Sequence, residues 1–286
     1  MSARKFGVST WLWTSPFTTE TVALFPKIKS MGFDVVEIPV EDTDLIDSSK
    51  VRKALDANDL QAVVCGAFGP TRDLTHDDPA VHDNCIQYIV KCFDFCNAWG
   101  SKFLAGPMYS AVGKARMAPV EQRRKEWDLA VTNLHKVSKL AQERGLEIAL
   151  EPLNRFESDM VNTADDVLRL VRDINHPAAK IMLDSFHMTI EERDLESAIT
   201  SVGNRLVHLQ VSENYRGTPG TGLTPWGSIQ KGLNNINYQG TISIESFTPE
   251  VKELAGAVCI WKNLAASQDE FAEEGVRFLK RVLNYP

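Results

Sequence analysis

Four polar residues interrupt runs that otherwise read as buried β-strands: Glu151 in EIALEPL, Asp184 in AKIMLDSF, His208 in LVHLQVSE and Glu245 in TISIESF. A buried strand does not choose such residues for packing, because an ionised group out of water is costly unless paired or bound to a cation. Three carboxylates and an imidazole make a donor set for a hard-to-borderline divalent ion, Mn²⁺, Mg²⁺ or Co²⁺, rather than a thiolate metal. Without a cation, the carboxylates would repel one another. Each residue alone has an ordinary explanation: a helix N-cap or an ion pair for the acids, a hydrogen-bonded core position for His208. Their recurrence on four consecutive strand candidates favours a shared site.

Those four belong to a longer rhythm. Strand candidates occur at FGVSTW near residue 6, VVEIPV near 35, QAVVCGAF near 61, KFLAGPM near 102 and then at the four segments above, with segments of helical period between them. Eight near-continuous apolar runs alternating with helices predict an α/β fold, a (β/α)8 TIM barrel whose active-site face is formed by the C-terminal ends of the strands. The segment TADDVLRLVRDI, from Thr163, opens on a cap-like Thr with Asp three residues on, and the stretch from Val120 to Arg144 runs up to a helix-ending Gly145. No linker or low-complexity tract interrupts the alternation, so residues 1–286 are expected to form a single domain. A doubly wound open sheet is the rival, but its GxGxxG signature after the first strand is absent.

Composition narrows the function classes. With 31 Lys and Arg against 38 Asp and Glu, the formal charge is −7, which argues against a nucleic-acid partner held by a broad basic surface. Five cysteines, Cys65, Cys85, Cys92, Cys96 and Cys259, form no CxxC pair and suit a reducing, cytoplasmic compartment. Cys92 and Cys96 share a helical face beside Phe93 and Phe95, where packing is the simpler reading. Neither a signal peptide nor an apolar run of about 18 residues is evident, so no membrane association is expected.

The blocks EIALEPLNRFE, IMLDSFHMTIEE, HLQVSENYRG and ISIESF resemble those of the ketose 3-epimerases, the D-tagatose and D-allulose (D-psicose) 3-epimerase family within the xylose isomerase-like barrels. The likeness spans nearly the whole chain, including VCIWKN around Trp261, and NRFE and DSFHMTIEE are its most specific parts. It implies that Glu151, Asp184, His208 and Glu245 ligate one divalent metal, with Mn²⁺ ahead of Co²⁺ and Mg²⁺. It also implies that Glu157, His187 and Arg216 contact the ketose, and that the chain forms a homodimer or homotetramer. Trp11 and Trp13 end the first strand, where flat residues could wall a sugar pocket, with Trp13 the expected substrate contact; a barrel cap or an interface is the alternative. Familiar members carry tyrosine-rich sequence where this chain has GVSTWLW, and a tryptophan where Val112 stands.

The chemistry can be reasoned separately. Inverting C3 of a 2-ketose requires one base to remove the C3 proton, charge to be carried onto O2, and a second acid to return a proton to the opposite face. A cation contacting O2 and O3 would make the proton removable, and Glu151 and Glu245 could serve as the catalytic pair. Arg216 could stabilise oxyanion charge or be a solvated loop residue; His187 could donate to a ketose oxygen or be structural; Glu157 could hold a hydroxyl or pair with Arg155. Glu37, on a first-half strand, suits a structural role behind the site. His76, His82, His135 and His176 are expected at the surface.

Three other readings compete. An aldose–ketose or hydroxypyruvate-type isomerase would use the same groups on C1 and C2. A barrel endonuclease would need a larger His-rich zinc cluster and a basic surface, which six scattered histidines and a charge of −7 do not offer. A catalytically dead binding barrel has little reason to keep four ligands.

Overall fold

In the computed structural model, which describes residues 4–284, the apolar runs become β1 (Lys5–Ser9), β2 (Val35–Val40), β3 (Gln61–Gly66), β4 (Phe103–Gly106), β5 (Glu147–Leu150), β6 (Ala179–Asp184), β7 (Leu206–Val211) and β8 (Thr241–Ile244). Each strand pairs in parallel with the next, and β8 returns to β1, closing a (β/α)8 barrel and excluding the open sheet. The α-helices are α1 (Phe25–Ser30), α2 (Ser48–Ala57), α3 (Pro79–Trp99), α4 (Val120–Glu143), α5 (Ala164–Ile174), α6 (Ser185–Glu191), α7 (Leu195–Val202), α8 (Trp226–Asn235), α9 (Lys252–Ala257) and α10 (Gln268–Leu283).

Local chemistry sets the helix ends. Thr163 and Asp166 form a reciprocal capping box at the start of α5, satisfying backbone donors that the first turn leaves open. Gly145, just past α4, takes φ +69°, a left-handed conformation that favours glycine. Cys92 and Cys96 on α3 are fully buried among the core side chains. Among the described residues no helix is long and apolar enough to cross a membrane.

The apolar material divides into two parts. Most of it packs the helices against the outside of the strands, whereas Val35, Val63, Cys65, Phe103, Ala105, Ala149 and Met182 form a separate cluster inside the barrel. Inward side chains in such a barrel stack in layers, so this cluster is a floor beneath whatever sits at the strand ends. A register shift between Ile181 and Met182 sets Met182 opposite His208 and Asp184 opposite Gln210. One expectation is shortened: β1 ends at Ser9, whose hydroxyl accepts from the Trp11 N–H and turns Thr10–Leu12 into a 3-10 helix.

Candidate active site

Asp184 ends β6, and Glu151 and Glu245 directly follow β5 and β8, so the three acids ring the mouth of the barrel. All three are buried, with Asp184 fully enclosed. Asp184 is both helix cap and site residue: Oδ1 accepts from the Phe186 N–H at 2.8 Å, leaving Oδ2 for Nη1 of Arg216 at 2.5 Å. The same Nη1 lies 2.9 Å from Oε2 of Glu245. Arg216 therefore enters the site from the loop after β7, its guanidinium resting on Phe186, with Phe247 also near. Its backbone adopts φ +62°, held by Ser246 donating to its carbonyl at 2.7 Å and by its own N–H donating to Glu213 O at 2.9 Å. A left-handed arginine persists only where such contacts over-determine it, and here they place the charge over the carboxylates.

His208 does not join this ring. It is the third residue of β7, opposite Met182 and Thr241, and sits against Phe103 of the floor with Nε2 2.6 Å from Oε2 of Glu37. The residue of β7 level with Asp184 is Gln210, two positions and about 6.6 Å further along the strand. Its Nε2 donates to Oε1 of Glu37 at 2.6 Å and to Oε1 of Glu245 at 2.8 Å. The expected position of His208 beside the acids is thus taken by a carboxamide. Alternation could have flagged this, because in LVHLQV His208 and Gln210 point to the same side and only Gln210 is near the strand's end. Glu37, expected behind the site, bridges the two.

His187, on the first turn of α6, does approach the acids, with Nε2 3.6 Å from Oε1 of Glu151 and 3.9 Å from Oδ2 of Asp184. Ligand atoms of Glu151, Asp184 and His187 lie within 4.8 Å of one another, close enough to hold a metal ion. Its other nitrogen, Nδ1, faces the backbone N–H of Asn154 at 3.1 Å and the Asn154 side-chain Nδ2 at 2.8 Å. A backbone N–H can only donate, so Nδ1 is an acceptor and Nε2 carries the proton. Asn154, unnoticed in the sequence, also donates to Oε1 of Glu157 at 2.8 Å and so ties Glu157 to His187. Arg155 turns away from Glu157 and pairs with Glu191 at 2.9 Å.

Electrostatics separate the acids. Burial, then the Glu245 and Asp184 charges, push Glu151 well above the usual carboxylate range. Burial likewise drives Glu245 up, with Arg216 opposing and Asp184 and Glu37 adding to the rise. Asp184 is also penalised by burial, but Arg216 and then His187 outweigh that and hold it low. Burial pushes the His187 imidazole below its ordinary value, with Asp184 opposing and the Arg216 charge adding to the fall. When Glu151, Asp184 and Glu245 are all ionised, one guanidinium leaves a deficit of two positive charges, which one divalent cation would fill with hard oxygen donors.

The glycine-rich segment after β7 has its own anion. Glu213 is fully buried; Oε1 accepts from the Gly220 N–H at 2.6 Å and the Trp226 indole N–H at 2.8 Å, and Oε2 from the Thr224 N–H at 3.0 Å. Gly220 takes φ +92°. Loops after strands seven and eight are where such barrels bind phosphate through backbone amides, and here a side-chain carboxylate occupies those donors.

The residues expected at the outer wall each have defined partners. Half-buried Trp13 donates its indole N–H to Oδ1 of Asp269 at 2.7 Å, and Lys27 lies over its ring. Trp11 instead packs on Phe247, 5.5 Å between centroids, with its indole N–H 3.0 Å from Oε1 of Glu41. Half-buried Val112 donates its N–H to Phe68 O at 3.4 Å. His82 is buried against the carbonyl of His76 rather than at the surface. A groove of about 750 Å³ lined by Arg123, Trp127, Arg169 and Asp173 lies between α4 and α5 and contains none of the strand-end residues.

A closed parallel barrel with acids at its fifth, sixth and eighth strand ends is matched by the family model of the xylose isomerase-like TIM barrels over residues 25–282. The chain belongs to that family. Among xylose isomerase-like barrels, it is 32% identical over 281 residues to a probable ketose 3-epimerase of Synechocystis sp., covering 97% of this chain and 96% of that protein. It is 31% identical to an L-ribulose 3-epimerase of Methylomonas sp., covering 87% of each. The crystal structure of a D-allulose 3-epimerase from Methylomonas sp. in complex with D-allulose superposes with a TM-score of 0.91 at 28% identity, covering 98% of this chain and 97% of that one.

Proposed function

We propose that this protein is a metal-dependent isomerase that epimerises free 2-ketoses at C3. The observation that carries the reading is the placement of Glu151 and Glu245 just past β5 and β8, flanking the Asp184–Arg216 pair of β6 and the loop after β7, as two buried acids able to act on opposite faces of one carbon. Relatives named as ketose, L-ribulose and D-psicose 3-epimerases support the same reaction class.

Glu151, Asp184 and Glu245 would hold the cation, Mn²⁺ first. A bound divalent ion supplies the Lewis acidity that makes the C3 proton removable by drawing charge onto O2. One glutamate takes the C3 proton and the other returns a proton to the opposite face, their roles exchanging with the direction of reaction. Arg216 and the Nε2–H of His187 supply donors for the oxygen that gains charge, and Asn154 fixes which imidazole nitrogen bears hydrogen. Glu157 orients a distal hydroxyl. The filled donors around Glu213 support an unphosphorylated substrate.

Proton NMR of ketoses incubated with the enzyme and Mn²⁺ in deuterated water is the test. Deuterium entering at C3 with appearance of the C3 epimer supports the proposal; deuterium at C1 or C2 with aldose formation overturns it in favour of an isomerase.

A further inference from the structure

Gln210 holds a buried carboxamide whose two halves are treated very differently. Its Nε2 lies between two carboxylate oxygens, Oε1 of Glu37 and Oε1 of Glu245. Both neighbours are acceptors, so the NH₂ end must face them and the amide orientation is fixed. Its Oε1, in a fully buried side chain, has no hydrogen-bond partner among the described residues. Leaving a buried acceptor unmet costs about 1–3 kcal/mol, so such an oxygen calls for a partner. Gln210 is level with Asp184 across β6 and in contact with Glu245, and the unmet oxygen therefore belongs to the ring of acids.

The two histidines that could compete are otherwise engaged. His187 presents a protonated Nε2 to the acids because Asn154 occupies Nδ1, and a protonated nitrogen cannot bind a metal. His208 has an unmatched Nδ1, but it stands a layer deeper against Phe103 with Nε2 on Glu37.

We infer that Gln210, through its carboxamide oxygen, is the neutral fourth protein ligand beside Glu151, Asp184 and Glu245, making an all-oxygen site that favours Mn²⁺ and Mg²⁺ over nitrogen-seeking ions such as Zn²⁺ and Ni²⁺. This deepens the metal-dependent reading and rests on it. An imidazole in that position would add a borderline donor and raise affinity for the later first-row ions; an amide oxygen does not. Glu37 sets the ligand's orientation by holding its NH₂ end.

The test is metal binding by the full-length, metal-free protein, read by the electron paramagnetic resonance of free Mn²⁺, and by spin-echo modulation of the bound ion, which registers a directly coordinated imidazole nitrogen. The native protein is expected to bind one Mn²⁺ with no imidazole signal. Gln210→His should introduce that signal and raise the Zn²⁺-to-Mn²⁺ affinity ratio at least about tenfold. Gln210→Met, which keeps the volume and loses the oxygen, should weaken Mn²⁺ by about 100-fold, whereas His187→Gln should stay within about threefold. Circular dichroism and Gln210→Glu, which restores an oxygen donor, separate ligand loss from misfolding. A coordinated imidazole in the native protein, or unchanged Mn²⁺ affinity in folded Gln210→Met, overturns this inference alone. A native protein that binds no divalent ion overturns the metal-dependent function with it.

Discussion

Oε1 of Glu37 lies 2.6 Å from Nε2 of Gln210 and fixes which end of that carboxamide faces the acids of the barrel mouth. The other oxygen of Glu37 meets His208, so one carboxylate joins the barrel floor to the active layer. Glu37 is accordingly a positioning residue. Glu37→Gln can present an amide NH₂ to Gln210 and release its orientation; Mn²⁺ affinity should fall about tenfold with the fold intact. Titration of the metal-free variant checks this, and an affinity equal to that of the native protein would show that the contact is only structural.

Asp184→Asn should remove metal and activity together. The substitution also takes a charge from Arg216, and breaking one partner of a buried pair costs about 3–5 kcal/mol. The variant should therefore unfold at lower urea than the native metal-free protein. Elemental analysis after purification without chelator measures occupancy, and a full complement of metal in the variant would sink the assignment of Asp184.

Glu213 predicts both specificity and a pH signature. With its carboxylate on the Gly220 and Thr224 amides, ketose phosphates should be turned over at least about 100-fold less efficiently than free ketoses, by loss of the transition-state binding those amides would give. Equal kcat/KM for a ketose and its phosphate would contradict this.

Burial alone would raise the pKa of Glu213, but the Thr224 N–H, the Trp226 indole and the Gly220 N–H together hold it below the ordinary value. A folded-state pKa below the unfolded one contributes stability above the unfolded pKa, near 4.3, and that stability is lost as pH falls through the folded value. Glu213→Gln should thus cost about 2 kcal/mol at neutral pH, a gap that narrows below about pH 4. Urea midpoints of both proteins across pH 3 to 7 measure the gap; a constant gap down to the lowest pH would show that the carboxylate charge is not what the loop needs.

Val112 is expected to leave the far end of the sugar pocket open, where the resembling family carries tryptophan. Contacts to distal groups alter discrimination by about 1–3 kcal/mol, while the proposed proton transfer at C3 rests on the two glutamates and not on the outer wall. The native enzyme should use several ketoses, with larger differences at C4 to C6 than at C3, and Val112→Trp should sharpen the preference. Restriction of the native enzyme to one sugar, unchanged in the variant, would remove Val112 from the pocket.

The barrel was legible because a parallel strand covered on both faces must be apolar throughout, and eight such runs alternate with capped helices. The acids were legible for the converse reason: Glu151, Asp184 and Glu245 stand where those runs stop. Depth along a strand was not. His208 and Gln210 lie on the same face, and choosing between them requires the register of β7 against β6, including the shift at Met182. Local geometry after β1 was equally hidden, since the Ser9 cap that turns Thr10–Leu12 into a 3-10 helix is a local bond rather than a pattern of hydrophobicity. Asn154 left no periodic trace either, because its role is to select a tautomer.

The left-handed Arg216, pinned by Ser246 and Glu213, also limits how this protein can change over generations. Its carbonyl, its amide and its guanidinium are each committed to a different neighbour, from the segment after β8, from its own loop and from the acids. A glycine there would relieve the backbone but delete the charge, and a lysine would keep a charge but not the flat surface lying over Phe186. Any lineage that abandons this arginine must alter the acids in the same step or leave them uncompensated, so Arg216 and Asp184 are expected to be inherited as a pair.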